Sequence, residues 1–172
     1  MRLAQPDWLQ HRLDVTGEPA ALAAFCRLAE GSGVVPWAVD FDRDAEDWFH
    51  LMLAYAPASI SAAGARILAG QLRDAVWEAH ERAMSSPRRV PLDLHALIPV
   101  PAPLLHHGPD DPRSLAWLWQ NWGTTWPLRR VERLTSGSGL RIGFCSADWT
   151  PWPALAAIRA RFPTLRLDLV WG

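Results

Sequence analysis

A five-residue segment, Thr135-Ser136-Gly137-Ser138-Gly139, separates two runs of strand-forming residues, Trp126 to Leu134 and Leu140 to Ser146. A short Gly/Ser gap between two such runs is a hairpin signal. A hairpin here has a strong geometric consequence. The start of its first strand must lie beside the end of its second. Asn121-Trp122-Gly123-Thr124-Thr125-Trp126 is therefore expected to approach Ala147-Asp148-Trp149-Thr150-Pro151-Trp152 in space. Together the two blocks hold four of the chain's eleven tryptophans, so a concentrated aromatic edge is expected where they meet.

The rest of the chain supplies partners for that hairpin. Leu9, His11, Leu13 and Val15 alternate with Gln10, Arg12 and Asp14, the period of a half-buried strand. Gly17-Glu18-Pro19 then opens a helix through Leu22, Phe25, Cys26 and Leu28, which stops at Gly31-Ser32-Gly33. After the hairpin, Thr150 and Pro151 start a second helix through Leu155, Ile158 and Phe162, ended by Pro163. Leu165, Leu167, Leu169 and Trp171 alternate with Arg166, Asp168 and Val170 in a last strand. The order strand, helix, strand, strand, helix, strand predicts an α+β fold of the ferredoxin-like type, βαββαβ: a four-stranded antiparallel sheet with both helices on one face.

Residues 34–91 interrupt this pattern and read as a largely helical insertion after the first helix. Pro36 to Phe41 is a possible short strand, Asp44 to Tyr55 an amphipathic helix, and Ser59 or Ser61 caps a long helix to about Met84. The expected organisation is one domain over residues 1–172, with its core in 1–33 and 92–172. Leu92 to Val100, followed by Pro101 and Pro103, reads as an extended lead-in. Ser114 is expected to cap a short helix over Leu115 to Gln120.

Composition narrows the function classes. The formal net charge is -1, without the basic excess of a general nucleic-acid binder. All seventeen cations are arginine, which suits either a composition bias or bidentate recognition of anions. Cys26 and Cys145 stand apart and read as reduced thiols. No apolar run is long enough for a bilayer and the N-terminus lacks a leader-like apolar stretch, so a cytoplasmic, non-membrane protein is expected. His106-His107 beside Asp110 and Asp111 reads as a solvated loop, because adjacent histidines seldom converge on one ion. Neither a metal nor a cofactor is expected.

The candidate contact site is Asn121, Trp122, Thr124, Thr125, Trp126, Asp148, Trp149 and Trp152. Its plainer alternative is an aromatic mini-core whose indole N–H groups bond nearby backbone. Asp93-Leu94-His95-Ala96-Leu97-Ile98-Pro99-Val100-Pro101, the block Trp119 to Trp126, Phe144 through Pro153 and Arg161-Phe162-Pro163 occur in that order. This resembles the YubB ferredoxin-like domain family over about residues 92–172, with Thr125 where the family pattern has Lys. The resemblance implies the same fold and an association with plasmids or phages. It implies no activity.

Three functional readings follow. The first is a binding or accessory protein that uses the Trp-rich edge, with a protein partner or a second copy of itself. The second is an enzyme of unknown class using Asp148 or His95 in a Trp-lined pocket. The third, ranked below both, is a weak nucleic-acid binder through Arg129, Arg133 and Arg141. RNA-recognition modules of this strand order stack bases on exposed aromatics, and the alternation of Leu140, Ile142 and Phe144 leaves the open face without such a platform.

Overall fold

Strands β1 (Trp8–Thr16), β2 (Arg129–Leu134), β3 (Leu140–Ala147) and β4 (Arg166–Trp171) form one antiparallel sheet in the order β2-β3-β1-β4. The computed structural model describes residues 5–55, 60–134 and 139–171. With helices α1 (Pro19–Ala29) and α7 (Trp152–Arg161) this is the βαββαβ order and the sheet topology expected from the sequence. The tip of the β2–β3 hairpin, residues 135–138, and Ser59, one of the two candidate caps, lie outside the described residues.

The register explains the core. Leu13 pairs with Ile142, Val15 with Leu140 and His11 with Phe144, while across β1 they face Leu169, Leu167 and Trp171. Cross-strand partners share a sheet face, so these side chains form one apolar layer. Helix α1 lays Phe25 and Ala29 on it, and α7 adds Ala154, Leu155 and Ile158. Phe25 meets Phe162 edge-on with ring centroids 5.5 Å apart. The opposite face carries Arg12, Asp14 and Arg141, joined by an Arg141 Nε–Asp14 Oδ1 bond of 2.6 Å. That guanidinium, first by its hydrogen bond and then by its charge, holds the Asp14 carboxyl below its usual range.

Strand β2 is shorter than expected. It begins at Arg129 and its pairing with β3 shifts between Arg129 and Glu132, where Arg130 takes φ 49°. The irregularity moves Arg129 and Val131 to opposite faces, although plain alternation puts them on the same one. Leu92 to Val100 is also not extended throughout. Asp93 Oδ1 accepts from the His95 N–H, and one helical turn follows as α4 (Leu94–Leu97). The prolines after it start a second turn, α5 (Ala102–Leu105).

The chain separates into two compact units, Met1–Trp37 with Pro87–Gly172, and Ala38–Ser86. The first closes on itself at a neck. Gly31 and Val90 exchange backbone hydrogen bonds of 3.2 and 2.8 Å, and the Asp93 N–H donates to Ala29 O at 2.7 Å. Asp93 Oδ2 accepts from the Gly33 N–H at 2.9 Å. The second unit is a helical hairpin of α2 (Phe41–Tyr55) and α3 (Ala62–Met84). Ser61 caps α3 by accepting from the Gly64 N–H. Pro36 to Asp40 forms no strand and leads directly into α2.

Candidate functional site: a tryptophan-flanked cleft

Helix α6 (Pro112–Asn121) builds one wall of the site. Its start lies three residues earlier than Ser114 suggested. Asp111 is the cap, accepting from the Arg113 N–H at 2.8 Å, and Pro112 occupies the first turn. Ser114 is buried inside the helix and its hydroxyl donates to Leu104 O at 3.3 Å. The helix presents Leu118 to the core, and Trp122 follows one turn later on the same side. Leu115, Ala116 and Trp119 occupy the other side.

The turn after α6 approaches the end of β3, as the hairpin geometry requires. The Gly123 N–H donates to the carbonyls of Leu118 and Trp119 with Gly123 at φ 75°. A Cβ at Gly123 would stand 2.5 Å from Pro153 Cδ, so glycine is needed both for the turn and for the approach. Thr124, fully buried, donates its hydroxyl to Ala147 O at 3.1 Å and stitches the two blocks together.

Asp148 then reverses the chain in a left-handed conformation, φ 62°, which is rare outside glycine. A reciprocal pair holds it there: the Asp148 N–H donates to Asp7 O at 2.7 Å, and Asp148 Oδ1 accepts from the Asp7 N–H at 2.9 Å. Below the turn, Ser146 donates to Trp149 O at 2.6 Å. Its hydroxyl hydrogen is committed, so the 2.8 Å contact with His11 makes His11 Nε2 the donor. Burial pushes the His11 pKa down and keeps the ring neutral.

The product is a cleft of about 490 Å³ lined by Pro112, Leu115, Ala116, Trp119, Thr125, Ala147, Asp148 and Trp149. Trp119 and Trp149 meet edge-to-face, ring centroids 5.8 Å apart, yet remain 46% and 61% exposed. Both indoles therefore stand at the surface and not in the core.

The candidate residues therefore divide. Thr125, Asp148 and Trp149 line the cleft. Trp122 does not: it is 1% exposed, and its indole N–H donates to Ile98 O at 3.0 Å. Asn121 turns away and donates from Nδ2 to Trp117 O at 2.8 Å. Thr124 is a buried stitch. Trp126 is partly buried, with the Arg129 guanidinium 5.8 Å from its ring centre. Trp152 is exposed at the start of α7 and does not line the cleft. Trp119 was not among the candidates. Its sequence signal was the four-residue step from Leu115 to Trp119, a second apolar stripe on α6.

His95 is committed elsewhere. Its Nδ1 accepts from the Val100 N–H at 3.1 Å, which leaves the ring proton on Nε2. Burial lowers its pKa, partly offset by the nearby Asp93 charge. Of the three sheet arginines, Arg129 and Arg141 share the face away from the helices, and Arg133 lies on the other. Arg141 is paired with Asp14 on the open face, Arg129 stacks over Trp8 at 4.2 Å, and Arg133 reaches Cys26 Sγ at 3.7 Å on the helix-covered face. A second hollow of about 530 Å³ is lined by Leu22, Cys26, Arg133, Gly139 and Arg141 among others. Among the described residues, no group of three or more His, Cys, Asp or Glu converges on a point where a metal ion would sit, and no helix is long and apolar enough to cross a membrane.

No family model matches the chain, and no curated protein matches it in sequence. In three dimensions it is similar to protein api92 from Yersinia pseudotuberculosis, whose crystal structure is described under the family-model DUF1281. The TM-score is 0.54 at 12% identity, over 98% of this chain and 90% of that one. At that identity the likeness is one of fold, and it extends over nearly the full length of both chains.

Proposed function

We propose that this protein is a non-catalytic binding or accessory module that captures a partner in the Trp119–Trp149 cleft. One observation carries the reading: two exposed indoles flank a preformed apolar cleft that also exposes a single carboxylate, Asp148. Its volume falls within the ~300–1,000 Å³ typical of ligand pockets. Aromatic faces beside a carboxylate suit an extended side chain with a cationic, N–H-donating head, which gains cation–π attraction and a charge-assisted hydrogen bond together. An arginine or lysine presented by a partner peptide has that chemistry. Among the described residues that line the cleft, Asp148 has neither a histidine nor a cysteine beside it, and the reading proposed is binding rather than turnover. The resemblance of residues 92–172 to the YubB ferredoxin-like family, with the plasmid or phage association it implies, belongs to the same proposal.

The test is an NMR titration of ¹⁵N-labelled protein with a blocked Gly-Arg-Gly peptide and with its Gly-Gln-Gly counterpart. The expected result is movement of the Trp119 and Trp149 indole signals by the arginine peptide alone, lost in Asp148→Asn. Equal responses to both peptides, or to neither, would overturn the reading.

A further inference from the structure

We infer that the open face of the sheet carries a second binding site, a hollow over Gly143 that takes a guanine mononucleotide. The register lays the site out. Glu132 of β2 pairs with Gly143 of β3, Gly143 with Arg12 of β1, and Arg12 with Val170 of β4. Cross-strand partners share a face, so these residues form one row across the whole sheet. Glu132 and Arg12 stand on either side of the glycine, two strand spacings or ~9.5 Å apart at the backbone. Over the row lies a hollow of about 350 Å³, to which Leu134 and Arg130 also contribute.

Two features of the backbone set this hollow apart from an ordinary sheet face. Gly143 lies inside β3 and is not among the residues with positive φ. A Cβ there would meet Leu134 Cδ1 at 3.4 Å, an ordinary contact. Neither conformation nor packing therefore demands glycine, although glycine weakens a strand. What it leaves is a flat floor that a planar group can approach closely. The second feature is a bulge. Between the Arg129–Cys145 and Glu132–Gly143 pairs, Arg130 and Val131 both oppose Phe144. Val131 is buried, and Arg130, at φ 49°, lines the hollow. A left-handed arginine is strained, and bulges re-aim side chains in this way beside functional sites.

The polar groups select the occupant. Asp14 is spent between Arg141 Nε at 2.6 Å and Arg12 Nε at 3.3 Å. Among the described residues, no hydrogen bond or ion pair holds the side chain of Glu132 or Arg130. The charged side chains that line the hollow are the guanidiniums of Arg12 and Arg130 and the carboxylate of Glu132, a balance that favours an anion. The occupant must also offer N–H donors on the edge facing Glu132 and acceptors on the edge facing Arg12. Guanine does both. Its N1–H and N2–H₂ suit a carboxylate, and its O6 and N7 take a guanidinium bidentately, the commonest pairing of arginine with a base. Adenine has one amino group and no such pair of acceptors. The phosphate supplies the negative charge, and Arg130 is free to meet it. The hollow has room for one nucleotide and not for a run of them, so the occupant is a free mononucleotide rather than a strand.

The test is an NMR titration of the ¹⁵N-labelled full chain with guanosine monophosphate, guanosine, adenosine monophosphate and a guanine-containing single-stranded RNA. Millimolar guanosine monophosphate is expected to move the Arg12 and Gly143 amide signals and to leave the Trp119 and Trp149 indoles in place. Adenosine monophosphate is expected to move none of them at the same concentration. Glu132→Gln is expected to weaken the binding about tenfold, as the loss of a bidentate pair does. Arg130→Ala is expected to lower the affinity for the nucleotide to that for guanosine and to leave guanosine unaffected. Gly143→Ala is expected to abolish binding with a melting temperature no lower than wild type, since its methyl fits. No response to guanosine monophosphate, an equal response to the adenine nucleotide, binding of the RNA alone, or unchanged affinity in both Gly143→Ala and Glu132→Gln would overturn the inference.

Discussion

Trp122→Ala is expected to cost this fold about 4 kcal/mol while leaving the cleft residues in place. The indole is almost wholly buried and is the largest fully buried side chain. It packs edge-on to Trp117 at 6.0 Å and donates its N–H to Ile98 O. Truncating such a residue costs ~3–5 kcal/mol through lost transfer energy and the cavity left behind. The orphaned carbonyl acts in the same direction, by ~1–3 kcal/mol where water does not enter. Against a typical total of ~5–15 kcal/mol, this is a large fraction. In a chain of this size it lowers the melting temperature by roughly 8–16 °C, at ~2–4 °C per kcal/mol. Urea unfolding followed by circular dichroism measures it, with the slope against denaturant checking that the two-state comparison holds. Trp122→Phe separates the terms, since it keeps most of the packing and loses only the donor. A loss below ~2 kcal/mol for the alanine variant at an unchanged slope would refute the assignment of Trp122 to the core.

Trp149→Ala, by contrast, is expected to change stability by less than ~1 kcal/mol, as for surface positions generally, while abolishing any response of the cleft to the arginine peptide; a large stability loss would make the indole structural. Gly31→Ala places a Cβ 2.1 Å from Asp93 Oδ2, and that carboxylate bonds both Gly33 and His95. Displacing it is expected to cost roughly 2–4 kcal/mol in a urea melt, and a neutral result would show that the neck yields freely. His11 and His95 both have pKa values lowered by burial from 6.5, so the unfolded chain binds protons first. Stability is therefore complete above pH 6.5 and falls as the pH drops from there toward 5, by at most ~1.4 kcal/mol per unit for each histidine. A urea midpoint unchanged between pH 7.5 and pH 5 would contradict this.

The elements that proved legible in the sequence are those with an unambiguous period. β1 and β4 alternate cleanly because only one face of each meets the core. α1 and α7 carry proline at their starts. The hairpin forced the two Trp blocks together, and Thr124 bonding Ala147 O is that forced approach made visible. What the sequence did not reveal is how the indoles divide between core and surface. Trp119 and Trp122 are three residues apart on or beside one helix, and which of them turns inward depends on the rotation of α6. That rotation is set by Asp111 and Pro112, and Ser114 obscured the true start. The helical turn at Leu94 was hidden for a similar reason. A single carboxylate cap, Asp93, redirects a stretch whose prolines otherwise favour extended chain.

The neck at Gly31 and Val90 also bears on how such a chain evolves. Because a two-bond bridge and the Asp93 latch close the framework on its own side, the 38–86 segment enters and leaves through adjacent points. Loop-closure entropy grows only with the logarithm of the length enclosed, so a helical cassette there can be shortened, extended or exchanged at small thermodynamic cost. Relatives sharing this framework need not share the cassette. Sequence drift within it is expected to outpace drift in the sheet.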